Sequence, residues 1–146
     1  MDDMDRSILT VLERHGRISN NELAARVGLS PSPCLRRVRN LEESGVILGY
    51  RAVIDPTAVG RGLRVLAGVR LTRHTRAHVT AFEDGVMALP GVTACHHITG
   101  SIDYLVQVEV ADLAAYEDFH ANQLAALPGI ATVNSFVIMK TLETPS

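Results

Sequence analysis

The sequence predicts an α+β protein with two domains, a helical domain followed by a layered plait of strands and helices. Two short helical patterns are joined by a tight turn at Gly28-Leu29-Ser30. Further along, the tetrapeptide Ala-Leu-Pro-Gly occurs at residues 88–91 and again at 126–129, and such an internal repeat is evidence about the fold. Four stretches of alternating apolar residues lie around this repeat, as the strands of a half-buried sheet would.

The first of the two joined helices has a recognisable start and end. Ser19 can accept a hydrogen bond from the backbone N–H three residues on, and Glu22 can return one to the Ser19 N–H, which predicts a capping box. Leu23 and Val27 lie four residues apart and therefore share one face. Gly28 is expected to end the helix, because a left-handed residue is favoured there.

The second helix is expected to begin after Ser30, its predicted N-cap. Pro31 and Pro33 fall in the first turn, where backbone N–H groups have no partner within the helix to lose. Two helices joined by a short turn that contains Gly are typical of a helix-turn-helix. Apolar residues at helical spacing predict the buried side of the second helix: Leu35, Val38 and Leu41.

The opposite side of the second helix is polar and basic. The planar fork of arginine matches guanine or phosphate, asparagine matches adenine, and a helix fits the major groove. We therefore expect double-stranded DNA as a partner, with Arg37 and Arg26 as phosphate contacts. The alternative is a solvated arginine-rich face, since thirteen of the fourteen basic residues are Arg. The predicted DNA-binding residues are Ser30, Ser32, Arg36, Arg37, Arg39, Asn40 and Arg26.

Charge is divided unevenly along the chain, although the net charge is only −2. Residues 1–61 carry nine Arg and eight acidic residues, whereas residues 62–146 carry five basic and eight acidic ones. Phosphate would repel the acidic half, which is therefore expected to have a different role.

The apolar runs are too short to cross a bilayer, and the acidic start MDDMD is unlike a signal peptide. We expect a cytoplasmic protein without a membrane partner.

The second half follows the order strand, helix, strand, strand, helix, strand, which predicts a ferredoxin-like αβ plait. Two helices cover only one face of a four-stranded sheet, so the other face predicts a homodimer. The predicted strands are Arg64 to Thr72, Val92 to Ile98, Tyr104 to Val110 and Thr132 to Met139. The predicted inner faces of the helices are Val79, Phe82, Val86 and Leu89 for the first and Leu113, Tyr116, Leu124 and Leu127 for the second.

The two halves are expected to meet through a connecting strand at Tyr50 to Ile54, closed by Asp55-Pro56. The domain boundary is predicted near Val59 to Gly62. Residues 1–61 would then form the helix-turn-helix domain with its connecting strand, and residues 62–146 the ferredoxin-like domain that mediates oligomerisation.

Five segments of the chain together resemble the Lrp/AsnC family, the leucine-responsive or feast/famine regulators of bacteria and archaea. They read MDRSIL, GRISNNELAARVGLSPSPCLRRVRNLEESGVI, ACHHITGSIDYL, AAYEDF and the ALPGI and VIM ending. The resemblance implies a winged helix-turn-helix and a RAM-type plait that binds an amino acid or related metabolite, dimerises, and often assembles further into octamers. It implies a transcription regulator with no catalytic residue and no cofactor beyond this small-molecule effector.

By the same resemblance, the effector site lies around the loop between the two middle strands. Gly100 allows close backbone approach, free N–H groups can hold a carboxylate, and Asp103 can receive an α-ammonium. The alternative is a plain strand-connecting turn, for which Gly-Ser-x-Asp is common. The chain departs from the family pattern at Ile102 and Val133, which leaves the identity of the effector open. The predicted effector-binding residues are Thr99, Gly100, Ser101, Asp103, Tyr104 and Ser135.

The remaining reactive side chains predict no metal site. Cys34 and Cys95 lack a CxxC spacing and are expected to be free thiols. Strand alternation sends His96 to the opposite face from Cys95 and His97, so at most two of these three ligands converge. Cys34 is expected to pack rather than to act as a thiol switch at a helix start, and His120 to be a hydrogen-bonded interface residue.

Two other classes of function remain open. Sirohaem decarboxylases resemble this two-domain architecture and use the plait pocket for a tetrapyrrole. The intact arginine face argues against them, whereas His96 and His97 keep them open. A metabolite-binding module without a DNA partner is the other class. The chain shows no nucleophile-base pair, phosphate-cradling glycine loop or paired carboxylates with metal spacing, so an enzyme is not predicted.

Overall fold

The computed structural model of the protein describes residues 1–143 and divides into two compact units, Met1–Val53 and Ile54–Glu143. Each unit has its own apolar core. The division falls earlier than the predicted end of the first domain at residue 61. The reason is that the chain beyond Ile54 already turns toward the sheet, where Arg61 Nη1 lies 3.9 Å from Glu109 Oε2.

The first unit contains three helices: α1 (Asp3–Arg14), α2 (Asn20–Val27) and α3 (Pro31–Glu43). The sequence patterns predicted α2 and α3 but did not single out α1. Asp2 caps α1, and it forms a capping box with Asp5, whose side chain accepts from the Asp2 N–H. The three helices share one core, which is made of Ile8, Leu23, Ala24, Cys34, Val38 and Leu41.

The start and stop signals around the turn are largely confirmed. The Ser19 hydroxyl accepts from the Glu22 N–H at 3.2 Å, but the described residues show no return bond from the Glu22 side chain. Gly28 ends α2 in the left-handed conformation, with a φ of +78°. Ser30 stands at the N-cap of α3, although its side chain makes no capping hydrogen bond.

The prediction that Leu35 points into the core is wrong. Leu35 is 37% exposed, whereas Cys34 is fully buried. Cys34, Val38 and Leu41 are spaced four and three residues apart and form one stripe. Leu35 follows Cys34 by about 100° around the helix, which moves it to the flank of that stripe.

The predicted connecting strand at Tyr50 to Ile54 is also wrong, because this segment has no regular secondary structure. A strand needs a neighbouring strand for its backbone hydrogen bonds, and the described structure contains none before residue 63. Tyr50 is instead held by its hydroxyl, which donates to Glu42 Oε1 at 2.8 Å.

The second unit confirms the predicted plait. Its strands form one antiparallel sheet in the order β2-β3-β1-β4. The predicted order of elements is reproduced, and each strand lies within about two residues of its predicted position. The elements are β1 (Leu63–Leu71), α4 (Arg76–Met87), β2 (Val92–His97), β3 (Tyr104–Val110), α5 (Leu113–Asp118) and β4 (Ile130–Val137).

The repeated Pro-Gly pairs act as predicted. Gly91 and Gly129 have φ values of +90° and +84° and stand directly before β2 and β4. Such a left-handed residue costs little for Gly, which lacks a Cβ. Both copies of the repeat therefore end a helical segment and start an edge strand.

Both helices pack against the same face of the sheet. That face presents β1 side chains such as Val65 and Val69, which meet Phe82 and Val86 of α4. The prediction that Leu113 is buried is wrong, since it is 63% exposed, and Phe119 is buried in addition to Tyr116.

A π-helical turn explains why Phe119 and Leu124, which are five residues apart, are both buried. It spans Phe119–Leu124 directly after α5, and the Ala125 N–H donates to the carbonyl of His120, five residues back, at 3.1 Å. A π-helical turn adds a residue per turn and shifts the side chains that follow. Tyr116, Phe119 and Leu124 therefore share the buried side.

The other face of the sheet carries neither α4 nor α5; we call it the open face. The register places Leu66, Leu105 and Phe136 on it, and Phe136 is 57% exposed. Ile102 covers Gly68 on this face, where an added Cβ would lie 2.8 Å from Ile102 Cδ1. An alanine at position 68 would therefore displace Ile102.

Candidate functional site

The outer side of α3 is exposed and polar. Ser32, Arg36, Arg39 and Asn40 are all exposed, while the residues between them point into the core or along its flanks. Within residues 1–143, neither Arg36 nor Arg39 forms an ion pair. Their guanidinium donors are therefore available to a ligand such as a base edge or a phosphate.

The turn before α3 is fixed by a contact that the sequence did not predict. Asn20 Nδ2, at the start of α2, donates to the carbonyl of Pro31 at 2.9 Å. This bond ties the two helices together across the turn. The two remaining predicted DNA contacts near it, Arg26 and Ser30, are both exposed.

Arg37 differs from the other predicted DNA contacts, because its charge is already paired. Its Nη1 lies 2.8 Å from Asp2 Oδ2 and 3.0 Å from Asp5 Oδ1, both on α1. The hydrogen bonds to the two carboxylates raise the pKa of Arg37. The backbone N–H of Asp5 and then Arg37 lower the pKa of Asp2. We call Arg37, Asp2 and Asp5 the α1–α3 clamp.

The predicted effector loop lies between β2 and β3 and is exposed at Thr99, Gly100 and Ser101. Gly100 has a φ of +128°, and a Cβ added there would meet nothing within 4 Å. Its backbone is therefore open to close approach by a ligand. The end of the loop is anchored, because the Asp103 N–H donates to the carbonyl of Val69 at 2.8 Å.

The carboxylate of Asp103 is held by two donors. Asp103 Oδ2 accepts from the Leu71 N–H at 2.8 Å and lies 2.9 Å from His74 Nε2. These contacts hold the pKa of Asp103 below its ordinary value, the Leu71 hydrogen bond being the larger cause. Asp103 is therefore ionised at neutral pH, with a histidine already beside it.

Two other predicted effector residues are not brought to this loop. The ring of Tyr104 is buried, and its hydroxyl donates to Glu83 Oε1 at 2.9 Å. Burial and Glu83 raise the pKa of Tyr104 to about 12. Tyr104 is a core residue because strand alternation turns it toward α4, away from the exposed loop.

Ser135 lies on the helix-covered side of β4, where its hydroxyl is hydrogen-bonded to the hydroxyl of Tyr116. It lines an open cavity of about 490 Å³ together with Glu117 and His120. Ile102, by contrast, packs on the open face. The loop residues and Ser135 therefore belong to two separate places on the same domain.

The cysteines and histidines are positioned as strand alternation predicts. Cys95 and His97 pair with core-facing Val106 and Tyr104, whereas His96 pairs with Leu105 on the open face. Burial, with Glu83 as a second cause, raises the pKa of Cys95 to about 11.

Cys34 is fully buried in the core of the first unit, and burial raises the pKa of its thiol. Both cysteines are free thiols, and both favour the protonated, unreactive form. The described part of the chain contains no group of three side chains that could hold a metal ion.

Known protein families match both halves of the chain. The family described as Lrp/AsnC ligand binding domain matches residues 64–145, and that described as winged helix-turn-helix DNA-binding matches residues 1–47. No helix in the described residues is both long and apolar enough to span a membrane.

Curated relatives match almost the whole chain. The leucine-responsive regulatory protein of Escherichia coli K12 is 39% identical over 143 residues, which cover 98% of this chain and 87% of that protein. The leucine-responsive regulatory protein of Haemophilus influenzae is 38% identical over 143 residues, covering 98% and 86%.

Two solved structures have the same architecture. A transcriptional regulator of Neisseria meningitidis in complex with L-methionine has a TM-score of 0.94 and 35% identity, covering 100% of this chain and 94% of that one. An AsnC family transcriptional regulator from Agrobacterium tumefaciens has a TM-score of 0.93 and 34% identity, covering 100% and 95%.

Proposed function

The chain belongs to the Lrp/AsnC family of transcriptional regulators, and from this premise we propose that it binds operator DNA through α3 and an amino acid through the plait. The observation that supports the DNA role best is the outer side of α3. Arg36, Arg39 and Asn40 are exposed there, the two arginines form no ion pair with any residue of 1–143, and the opposite side of the helix is buried in the core.

In this proposal the residues of α3 divide into two groups. Ser32, Arg36, Arg39 and Asn40 contact base edges in the major groove, since their side chains can match guanine or adenine edges. Arg26 and Ser30, near the turn, contact phosphate and fix the register of the helix on the duplex. Arg37 is treated separately below because its charge is paired.

The DNA role is tested by fluorescence anisotropy with a duplex enriched from a random library by binding to the wild-type protein. We expect Arg36→Ala and Arg39→Ala each to weaken binding to this duplex by about 1 to 3 kcal/mol. Arg76→Ala, an exposed arginine in the other domain, serves as the matched control and should bind like the wild type. Unchanged affinity in both α3 variants would contradict the assignment of α3 as the reading helix.

The plait is proposed to bind the amino acid at the loop Thr99–Asp103. Gly100 exposes its backbone, and the ionised Asp103 can receive an ammonium group. The relatives support this chemistry, since one was solved with L-methionine and others are named leucine-responsive. Titration calorimetry with L-leucine and L-methionine tests it, and absence of binding to any of the twenty amino acids would contradict it.

The open face of the sheet supports assembly through the plait. Leu66, Leu105 and Phe136 lie on a face that α4 and α5 do not cover, and a second copy of the sheet would bury them. We therefore propose a homodimer, with the octamer typical of the family as the further assembly. Sedimentation velocity on the full chain tests the dimer, and a monomer at micromolar concentration would contradict it.

The same comparisons favour a regulator over the alternatives. The relatives that share both domains are named as regulatory proteins, which favours neither the tetrapyrrole enzyme nor a module without a DNA partner. We propose a cytoplasmic regulator without catalytic activity. A tetrapyrrole absorbance band in the purified protein would contradict this.

A further inference from the structure

The α1–α3 clamp lies beside the outer side of α3, which carries Arg36 and Asn40 and which we call the reading side. Arg37 Nη1 contacts both carboxylate oxygens of Asp2, at 2.9 and 2.8 Å, and one oxygen of Asp5, at 3.0 Å. The side chain of Asp5 is only 17% exposed and that of Arg37 only 32%. The contact with Asp5 is therefore partly shielded from solvent, whereas the side chain of Asp2 is 57% exposed. Both contacts join segments of the chain more than thirty residues apart.

The position of Arg37 on α3 is intermediate between the core and the reading side. Each residue advances about 100° around a helix, so Arg37 lies on the flank that faces α1, next to buried Leu41. Arg36 and Asn40 lie on the reading side and line the same cavity as Arg37 and Asp5. An arginine on this flank of a major-groove helix has the length to reach a backbone phosphate once it is released.

The charges of the clamp do not favour such a release. Two carboxylates surround one guanidinium, so the cluster has a net charge of −1 and repels phosphate. A phosphate that binds Arg37 must displace Asp2 or Asp5, whose charge-assisted hydrogen bonds already exist in the free protein. The carboxylates therefore act as an internal competitor for the phosphate.

We propose that Asp2 and Asp5 withhold Arg37 from the DNA backbone and thereby keep the sequence-independent part of the DNA affinity low. This inference rests on the proposed DNA-binding function. Phosphate contacts strengthen binding to every sequence alike, whereas base contacts by Arg36 and Arg39 strengthen binding to the operator alone. Withholding one phosphate contact therefore lowers the affinity for operator and for random DNA by the same factor, and the preference for the operator is left to the base contacts.

The test is the salt dependence of binding to a duplex of random sequence. Each phosphate contact contributes about 0.9 to the slope of log affinity against log salt. We expect Arg37→Ala to leave the wild-type slope unchanged, because Arg37 is already neutralised. We expect Asp2→Asn/Asp5→Asn to steepen the slope by about 0.9, which makes affinity fall about 3.5-fold further between about 50 and 200 mM salt.

Two controls separate release of Arg37 from a general change of charge. Asp2→Asn/Asp5→Asn/Arg37→Ala should return to the wild-type slope, because the released arginine is missing. Asp3→Asn removes one negative charge from the same helix end, where Asp3 pairs with Arg6 and not with Arg37, and it should leave the slope unchanged. Asparagine is as good an N-cap as aspartate, so the start of α1 is retained.

The possible failures are distinguishable. If the wild-type protein shows no salt-dependent DNA binding, the proposed function fails and this inference fails with it. If the wild type binds but Arg37→Ala reduces the slope by about 0.9, Arg37 is an ordinary phosphate contact and the inference alone is overturned. It is equally overturned if the double variant keeps the wild-type slope, or if the triple variant keeps the steeper one.

Discussion

At the scale of single residues, Asp103 combines a structural contact with a proposed ligand contact. Its Oδ2 is used by the Leu71 N–H and by His74, and a carboxylate has lone pairs for about four hydrogen bonds in all. An incoming ammonium can therefore share the group with its present partners. The two roles of Asp103 can be separated by experiment. The ligand contact is measured by the response to the amino acid, and the structural contact by the pH dependence of the stability.

For the ligand role, we expect Asp103→Ala to remove most of the effector's influence on DNA binding while leaving operator affinity without effector unchanged. An ammonium that loses its charge-assisted hydrogen bond loses about 1.5 to 3 kcal/mol of binding free energy. The effect on DNA must then shrink at any fixed effector concentration near the former dissociation constant. Anisotropy titrations with and without the amino acid check this, and an undiminished response in Asp103→Ala would contradict it.

For the structural role, Asp103→Asn should lower the free energy of unfolding at neutral pH. The folded-state pKa of Asp103 lies below the ordinary value of 3.8, so its contribution is fully present above that value and is lost as pH falls through the folded pKa. The difference in the free energy of unfolding between variant and wild type should therefore shrink as pH falls below that ordinary value. Urea denaturation across this range measures it, and a difference independent of pH would contradict it.

Local residue patterns predicted some of these side chains and missed others for a physical reason. Gly100 and Asp103 stand out because turn residues carry a short-range signal. The contacts of Asp103 with His74 and of Arg37 with Asp2 join residues 29 and 35 positions apart, and no short-range pattern encodes them. Tyr104 is predicted to contact the effector because it lies next to the loop, whereas the alternation of buried residues along β3 places its ring in the core.

At the scale of elements, the N-cap of α2 is a local feature of the helix-turn-helix whose contribution can be measured by itself. The Ser19 hydroxyl satisfies the N–H of Glu22, which would otherwise lack a partner within the helix. We expect Ser19→Ala to lower the free energy of unfolding by about 1 kcal/mol. Chemical denaturation followed by circular dichroism checks this, with Thr80→Ala as the matched control at an exposed position of α4.

A loss of stability as small as that of the Thr80→Ala control would show that the Ser19 cap contributes nothing.

The caps of α2 and the alternation of the strands could be predicted from the sequence because they depend on neighbours within a few residues. The π-helical turn at Phe119–Leu124 could not be predicted, since a uniform helical period of 3.6 residues places these two residues about 140° apart and so on different sides of the helix. The prediction of a connecting strand was wrong because a β-like sequence forms a strand only beside a partner, and no strand of the described residues pairs with residues 50–54.

At the scale of the whole molecule, the proposed dimer depends on the open face of the sheet. We expect Phe136→Glu to weaken the proposed dimer, because a dry sheet-on-sheet contact would have to bury an unpaired charge. Sedimentation velocity at several concentrations measures the shift toward monomer. Met87→Glu, at an exposed end of α4 on the helix-covered side, is the matched control and should assemble like the wild type.

A dimer that is unchanged in Phe136→Glu would show that the interface lies elsewhere than on the open face.

The open face could be predicted from the number of elements, since two helices cannot cover both sides of four strands. The place where the two units divide could not be predicted from the sequence. The division between Val53 and Ile54 depends on contacts between segments that are distant in the sequence.

Ile102 connects the proposed amino-acid loop with the open face of the sheet. It belongs to the loop that is proposed to hold the amino acid, yet its side chain rests on Gly68 in the middle of the open face. If a second copy packs over that face, any movement of the loop on ligand binding is transmitted directly to the contact between subunits. The free energies of ligand binding and of association are then thermodynamically coupled, and the coupling is reciprocal. The protein's apparent affinity for its amino acid would therefore depend on its own concentration.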